Sequence, residues 1–222
     1  MKKLHALIIL LAVAFSGCAH KQPDLNKQEK FISAAPRSIL VVPVVNNSVE
    51  VTAADYMLSA VTIPFAERGY YVFPVNLVKR ALEDDGLADS SLVHKAPAQR
   101  LAALFGADAV LYITIERWDA KYAFLTTIVT VGANYQIRDG KTGELLWENK
   151  QTMVYDPNNS GGSSGNPIVD IIAMAVKAAI TKAMPQYMPL ARQANAMAIM
   201  TYPGPGLPLG PYATDRDSSR AK

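Results

Sequence analysis

His94 is the residue of this sequence that comes nearest to a catalytic base. It is the only histidine inside the predicted domain, and it lies in a polar stretch that precedes Pro97. An imidazole can move a proton at neutral pH, but nucleophilic catalysis also needs a nucleophile beside it. The residues around His94 do not indicate such a partner. We therefore interpret His94 as a solvated loop histidine and predict that the chain is not an enzyme.

A pair of carboxylates could carry acid and base chemistry on a sugar. Glu116 and Asp119 flank Trp118 where the predicted central strand ends, and paired carboxylates hydrolyse glycosidic bonds in many enzymes. The stripe of further aromatic residues that a glycan site would carry does not accompany them. We interpret the two carboxylates as a solvated rim, and we keep Trp118 with the sheet edge as the site of a possible binding function.

Two other polar clusters favour structure over chemistry. Residues 83–89 include four carboxylates but lack the spacing of an EF-hand, so a solvated helix end is expected. The glycine- and serine-rich run at 161–165 lacks the lysine of a phosphate-binding loop and predicts a flexible segment. We predict no cofactor and no bound metal ion.

Cys18 is the residue whose context predicts a definite modification. A start with two lysines is followed by an apolar run from Leu4 to Phe15, and then by Ser16, Gly17 and Cys18. This pattern resembles the lipobox that the bacterial lipoprotein signal peptidase cuts, with the first 17 residues as the signal peptide. The thiol would carry a diacylglyceryl thioether, and each methylene buried in a bilayer contributes about 0.8 kcal/mol to anchoring.

The residue after the cysteine indicates which membrane receives the protein. Ala19 stands where aspartate is the usual signal for retention in the inner membrane. The resemblance therefore implies a lipid anchor in the outer membrane, with the domain facing the periplasm or the cell surface.

Composition predicts one globular domain and argues against nucleic-acid binding and an internal disulfide. Half of the 222 residues are hydrophobic and 18% are charged, which is enough to bury a core. The formal net charge of +3 includes Lys2 and Lys3, so the mature chain is nearly neutral and is not expected to bind nucleic acid. One cysteine cannot form an internal disulfide.

The mature chain divides into three parts. Residues 18–37 are polar and predict a flexible, lipidated tether in which nothing packs. Residues 38–200 hold the periodic patterns of a single α/β domain. Residues 201–222, rich in proline and glycine, predict a disordered tail.

Hydrophobic patterning within the domain predicts a mixed sheet. Continuous apolar runs at Ile39–Val45, Tyr70–Val75 and Ala109–Ile115 indicate buried strands, although Pro43 should weaken pairing. Residues 129–138 alternate and pair with 145–155 through a turn at 139–143, whose glycines are expected at positive φ. Helices are predicted near 52–65, where Thr52 and Asp55 approximate a capping box, and at 76–83, 97–105, 167–184 and 190–200; a membrane span competes at 167–184.

Three segments carry a family resemblance. Residues 39–48, 106–111 and 138–147 resemble, in this order, segments of lipoprotein domains of the TolB amino-terminal and curli-secretion types. The whole chain is similar to a family of bacterial lipoproteins of unknown function that were studied as surface antigens. The resemblance implies an α/β domain with a mixed parallel and antiparallel five-stranded sheet, helices on its faces and an envelope location.

The same resemblance implies relatives that serve secretion or assembly. We therefore expect a non-enzymatic adaptor or transport subunit whose partners are other envelope proteins or a second copy of the chain. The alternative is a periplasmic module that binds a small molecule or glycan. Large flexible side chains suit adaptable contacts, so the predicted partner surface comprises Trp147, Tyr155, Met188 and Met197.

Overall fold

The computed structural model describes residues 26–123, 126–155, 188–202 and 204–214. They form a mixed sheet with helices packed on both faces, as the sequence predicts. The helices are α1 (Asn26–Ala34), α2 (Ala53–Glu67), α3 (Val75–Asp84), α4 (Ser90–Lys95), α5 (Ala98–Phe105) and α6 (Met188–Met200); the strands are β1 (Ser38–Val41), β2 (Val45–Asn46), β3 (Tyr71–Val72), β4 (Ala109–Ala123), β5 (Thr126–Asp139) and β6 (Leu145–Tyr155).

The strand order is β3-β1-β4-β5-β6, with β2 paired to β4 beyond the end of β1. Strands β1 and β2 run parallel to β4, whereas β4, β5 and β6 are antiparallel neighbours. The five strands of this path were predicted. The sixth arises because Pro43, which has no N–H to donate, interrupts the first apolar run and leaves β2 as a separate strand.

Strand β4 continues to Ala123 and is longer than predicted. Its pairing with β5 shifts between Ile115 and Arg117, so Glu116 is the extra residue of a β-bulge. Side chains alternate between the two faces, and one inserted residue reverses the alternation. Trp118 therefore shares the face of Ile115 and is only 2% exposed, so the predicted strand end at these carboxylates is wrong.

Two hydrophobic clusters lie on opposite faces of the sheet. The larger packs α1, α2 and α6 against the sheet and includes Phe31, Phe65, Tyr135 and Ile199. The smaller lies beneath α3, α4 and α5 and is built on Leu40, Val42, Val78, Leu101 and Val110. The smaller cluster is concentrated near β1 and the start of β4, and polar side chains occupy the neighbouring part of this face on β4 and β5.

The prediction of an unpacked tether is wrong from residue 26 onward. Helix α1 buries Phe31, whose ring contacts the Tyr70 ring edge-on at 5.9 Å between centroids. Gln28 Nε2 donates to the carbonyls of Gly204 and Gly206, each at 2.6 Å. An amphipathic helix with one large aromatic anchor thus covers the sheet although its composition is polar.

The prediction of a disordered tail is also wrong for residues 204–214, named here the C-terminal strap. Leu207 is completely buried. The Tyr70 hydroxyl donates to the Pro208 carbonyl at 3.0 Å, and the backbone N–H of Tyr212 donates to Gly69 at 2.9 Å. Proline and glycine prevent a helix or strand in this segment, but they do not prevent it from packing.

Smaller corrections concern helix and turn details. Thr52 does not form the predicted capping box, because its Oγ1 donates to the Glu50 carboxylate. At the β5–β6 turn only Gly143 has positive φ; Gly140 is required for close packing instead. The prediction at 167–184 lies outside the described residues, and no helix within the described ranges is both long and apolar enough to cross a membrane.

Candidate functional site

A cavity of about 420 Å³ opens between the α4–α5 connection and the uncovered polar face of the sheet. Residues 94–99 form one wall, and strands β4 and β5 with the β5–β6 turn form the other. Its volume lies within the range of small-molecule sites, about 300–1,000 Å³. The sheet-side lining consists of Tyr112, Thr114, Asn134, Gln136, Arg138, Thr142 and Gly143.

The polar wall results from strand alternation. On β4, Tyr112 and Thr114 point to this face, while Leu111, Ile113 and Ile115 enter the larger core. Their partners on β5 are Gln136 and Asn134, and Arg138 pairs with Val110. The sequence indicates this alternation, and we expected the polar side chains of β5 to face water. Helices α4 and α5 instead enclose part of that face.

His94 joins the cavity to the break between β1 and β2. Its Nε2 lies 3.0 Å from the Pro43 carbonyl, and its ring meets the Tyr112 ring edge-on at 5.1 Å. Since a carbonyl only accepts, Nε2 carries the proton and a neutral ring leaves Nδ1 as an acceptor. Burial lowers the pKa of His94 below its usual value, and the Pro43 hydrogen bond offsets part of this effect.

His94 was expected to be a solvated loop residue, and this interpretation is wrong. The residue lies in the last turn of α4 and is half-buried. Asp89 caps this helix by accepting a hydrogen bond from the Ser91 N–H at 2.7 Å. The sequence contained that signal, an aspartate before two serines, but it was assigned to a solvated acidic cluster.

Arg138 and Lys95 are the cations of the cavity lining. Arg138 Nη1 donates to the Gly143 carbonyl at 3.3 Å, and a guanidinium has five N–H donors in all. None of the described residues that line the cavity is a carboxylate. Glu148 stands just outside and accepts a hydrogen bond from Gln136 at 3.1 Å.

Two polar atoms of this wall are buried without a hydrogen-bond partner among the described residues. They are the Tyr112 hydroxyl and Asn134 Oδ1. Burial raises the pKa of Tyr112 to about 12, although the Arg138 charge acts in the opposite direction. The hydroxyl therefore keeps its proton and can donate, while Oδ1 can accept. Leaving such groups unpaired costs about 1–3 kcal/mol each, and because both atoms are closed to solvent they are not available to an occupant of the cavity.

The carboxylates considered for catalysis are not brought together here. Glu116 is exposed at the bulge, and Asp119 accepts a hydrogen bond of 2.8 Å from Arg117. Trp118, kept from the sequence as a possible binding residue, is buried in the larger core. A binding function therefore cannot use Trp118, and the cavity is the site that replaces it.

The partner surface predicted from the sequence is wrong at Trp147. This indole is 3% exposed, and its Nε1 donates to the Pro205 carbonyl of the strap at 2.9 Å. Met188 and Met197 are half-buried and pack against the larger core. The side chain of Tyr155 lies outside the described residues. The strap and α6 cover β6, and this coverage was not evident from sequence.

A loop that sequence reasoning missed presents two apolar side chains instead. Between β2 and α2, Val49 is 92% exposed and Val51 is 86% exposed. Asn46 orders this loop: its Nδ2 donates to the Glu50 carbonyl at 2.7 Å, and its Oδ1 accepts from the Ser48 N–H at 3.0 Å. The two valines are thus displayed on an ordered turn. The available signal in the sequence was two valines separated by one polar residue, Glu50.

Two further predicted features fall outside the described residues. Cys18 is one, so its lipidation stays a prediction. The run at 161–165 is the other; its order also satisfies the spacing G-x-S-x-G, which marks a nucleophile only on a strand-to-helix turn. The prediction that the chain is not an enzyme accordingly stays untested.

Residues 28–212 match the family model described as "Putative lipoprotein GNA1162-like". The chain is 33% identical over 178 residues to "Putative lipoprotein NMB1124/NMB1162" of Neisseria meningitidis serogroup B (strain ATCC BAA-335 / MC58), covering 79% of this chain and 82% of that protein. The crystal structure of lipoprotein GNA1162 from Neisseria meningitidis is 34% identical and covers 64% of this chain and 94% of that one, with a TM-score of 0.54. The resemblance predicted from the three sequence segments is confirmed, and the chain belongs to the GNA1162-like family of lipoproteins.

Proposed function

We propose that this protein is anchored in the outer membrane by lipid on Cys18 and acts as a non-enzymatic adaptor in a complex of the cell envelope. Membership of a lipoprotein family supports the anchor. The residues from Leu4 to Cys18 have the order of a lipoprotein signal, and Ala19 favours export to the outer membrane. The family supports a lipid anchor, and Ala19 alone favours the outer membrane as its location.

The ordered loop with Val49 and Val51 carries the adaptor proposal. Val49 and Val51 are exposed two residues apart on an ordered loop, and a partner that buried both side chains would remove their apolar surface from water. The hydrogen bonds of Asn46 fix the turn before binding, which lowers the entropic cost of association. The expected partner is another envelope protein that presents an apolar groove near the membrane.

The anchor is tested by fractionation of cells that express either the full chain or Cys18→Ala. We expect the native chain in the outer-membrane fraction and the variant outside it, because one thioether-linked lipid supplies the attachment. Cys18→Ala that remains in the outer-membrane fraction, with the native mass lacking lipid, would contradict the anchor.

The adaptor role is tested by a photo-crosslinking residue at position 49 in living cells. Position 77 is the matched control, since Leu77 is also an exposed aliphatic residue, 68% exposed, but lies on α3. We expect a discrete adduct with an envelope protein from position 49 alone, and its loss when Val51 is changed to Asp. Equal adducts from both positions, or none from position 49, would refute the loop as a docking element.

A second function, binding of a small molecule or glycan, is supported by the cavity. Its volume, its partial enclosure by α4 and α5 and the polar side chains of its sheet wall support a recognition site. This function is compatible with the adaptor role because the loop and the cavity use different residues.

A further inference from the structure

Strand β6 has a long outer edge with no strand beside it in the part of the chain that the structure describes. It is the last strand of the sheet and spans 11 residues, Leu145–Tyr155. Apart from its ladder with β5, its backbone from 147 to 154 makes no hydrogen bond to any described residue. Such an edge presents a row of N–H and C=O groups that can pair with another strand.

The turn before β6 determines which of its residues face this edge. The Asp139 N–H donates to the Glu144 carbonyl at 2.9 Å. Alternate residues of an antiparallel strand bond in opposite directions, so the odd-numbered residues of β5 bond toward β6. Their β6 partners are odd-numbered too, as in the pair of Tyr135 with Asn149. The even-numbered residues between 148 and 154 therefore direct their backbone groups to the outer edge.

Two of these even-numbered residues, Glu148 and Lys150, carry opposite charges and have exposed side chains on one face of the strand. If two antiparallel copies of β6 pair about a two-fold axis at Asn149, Glu148 of each copy lies directly opposite Lys150 of the other. Opposite charges in this position stabilise a sheet, and like charges destabilise it. Moving the axis by one residue either way places two lysines or two glutamates opposite each other, so the charges favour a single register.

The same register satisfies the backbone and the Glu148 carboxylate. Because the backbone groups of Glu148 and Lys150 point outward, the two residues can exchange both of their backbone hydrogen bonds across the edge. Glu148 Oε1 accepts from Gln136 at 3.1 Å. Its Oε2 has no hydrogen-bond partner among the residues that the structure describes. That oxygen can accept from the Lys150 ammonium of the second copy.

The pairing is also compatible with two lipid anchors. A two-fold axis perpendicular to the sheet keeps the same face of both copies on one side. Helix α1 packs on the face of the larger core, so both α1 helices lie on one side of the joined sheet. The two lipids proposed at Cys18 can therefore enter the same bilayer.

We infer that this protein forms a two-fold dimer by pairing β6 with β6 of a second copy, in the register that places Glu148 opposite Lys150. The two sheets then form one continuous sheet across the dimer axis. This inference goes beyond the adaptor function proposed above, and the dimer needs neither the adaptor's partner nor a ligand in the cavity.

Sedimentation equilibrium of the full chain in density-matched detergent tests the dimer, and we expect reversible dimerisation of the native chain. Glu148→Lys and Lys150→Glu each replace attractive pairs by repulsive ones, so each should weaken dimerisation about tenfold or more. The double variant restores opposite charges and should dimerise within about threefold of the native chain. Arg80→Glu reverses a charge that is 73% exposed on α3; it is the matched control and should have no effect.

Disulfide formation tests the register. Two differently tagged chains, one with Glu148→Cys and one with Lys150→Cys, are expressed together and oxidised. Directly opposite residues of a hydrogen-bonded pair have Cα atoms about 5.5 Å apart, which a disulfide can span. Diagonal neighbours are about 7–8 Å apart, so neither variant alone should form a crosslink. We expect a crosslinked dimer from the mixture only, and none from the chain without an added cysteine.

Each contrary result overturns a defined part of the inference. A monomeric native chain, with no disulfide from the mixture, overturns the dimer. Native dimerisation in both single charge variants overturns the β6 edge as the interface. Weakened single variants without recovery in the double variant, or equal crosslinks from either cysteine variant alone, overturn the register. If a charge variant does not fold, the cysteine mixture still decides, and photo-crosslinking at position 49 tests the adaptor role independently.

Discussion

The hydroxyl of Tyr135 donates a hydrogen bond of 3.0 Å to Oδ1 of Asn195, and neither residue is exposed to solvent. Asn195 in turn donates from Nδ2 to the Met57 carbonyl at 3.1 Å. This short chain of polar contacts joins β5, α6 and α2 inside an otherwise apolar layer. It explains why α6, which has a weakly polar sequence, packs in one defined position on the sheet.

Replacement of Tyr135 by Phe should reduce the free energy of unfolding by about 1–3 kcal/mol, because the buried Asn195 Oδ1 loses its donor. Urea unfolding followed by circular dichroism measures the change. Tyr71→Phe removes a hydroxyl from a ring that is 51% exposed and is expected to change stability by less than about 0.5 kcal/mol. Equal effects of the two substitutions would contradict the role assigned to the buried hydrogen bond.

Replacement of Gly140 by Ala should destabilise the β5–β6 turn. A Cβ at this position would lie 2.7 Å from the carbonyl oxygens of both Ala107 and Asp108, and such overpacking costs about 1–3 kcal/mol. Gly132→Ala, in the preceding strand β5, is the matched control, since its Cβ would meet nothing closer than 3.4 Å. Thermal unfolding of the two variants measures the difference, and a stable Gly140→Ala protein would show that the turn can move away from α5.

The stability of the protein should decrease as the pH falls below the usual pKa of histidine, about 6.5. Burial lowers the pKa of His94 in the folded state. As the pH falls, the unfolded chain therefore binds a proton at this residue before the folded chain does, and the folding equilibrium shifts toward the unfolded state. The loss continues down to the folded pKa, with a slope of at most about 1.4 kcal/mol per pH unit for one proton.

His94→Gln should flatten this part of the pH profile, because glutamine can donate to the Pro43 carbonyl without titrating. Unfolding free energies at about pH 7.5 and about pH 5.5, above and below the histidine pKa, provide the measurement. Asp108 and Asp139 do not interfere, because the ordinary pKa of an aspartate is about 3.9 and the folded pKa of each is lower still, so both titrate below this pH range. Burial acts to raise these pKa values, but the hydrogen bonds outweigh it. An unchanged profile in the variant would exclude His94 as the group responsible.

Replacement of Leu207 by Ala should destabilise the whole domain. Leu207 is completely buried in the larger core, and removal of a buried leucine side chain costs about 2–5 kcal/mol. A disordered tail would instead tolerate the change, as would the control Leu104→Ala, whose side chain is 59% exposed. Urea midpoints of the two variants distinguish a structural strap from a loose tail.

The sheet could be predicted from sequence because its strands have unambiguous patterns. The continuous apolar residues of β1 and β4 and the alternation along β5 each specify a strand and its buried face. The bulge at Glu116 could not be predicted, since one inserted residue leaves no compositional trace. The bulge reverses the alternation of side chains, so Trp118, which we expected at the surface, lies in the core.

The cavity could be predicted only in part. The alternation that places Asn134, Gln136 and Arg138 on one face is visible in the sequence, but it is equally typical of a face in water. Enclosure by residues 94–99 depends on how α4 and α5 pack on a strand that is distant in sequence. The strap was missed for the same reason, because composition describes local backbone preference and not the contacts of Leu207.

Helix α1 also sets how far the domain can stand from a bilayer. It begins at Asn26, eight residues after Cys18, and eight extended residues span less than about 30 Å. With lipid on Cys18, this short tether keeps the folded domain close to the lipid headgroups. A binding partner must then contact the domain at the membrane surface. Residues inserted into the tether before Asn26 should increase the distance that the domain can reach from the bilayer without altering the fold.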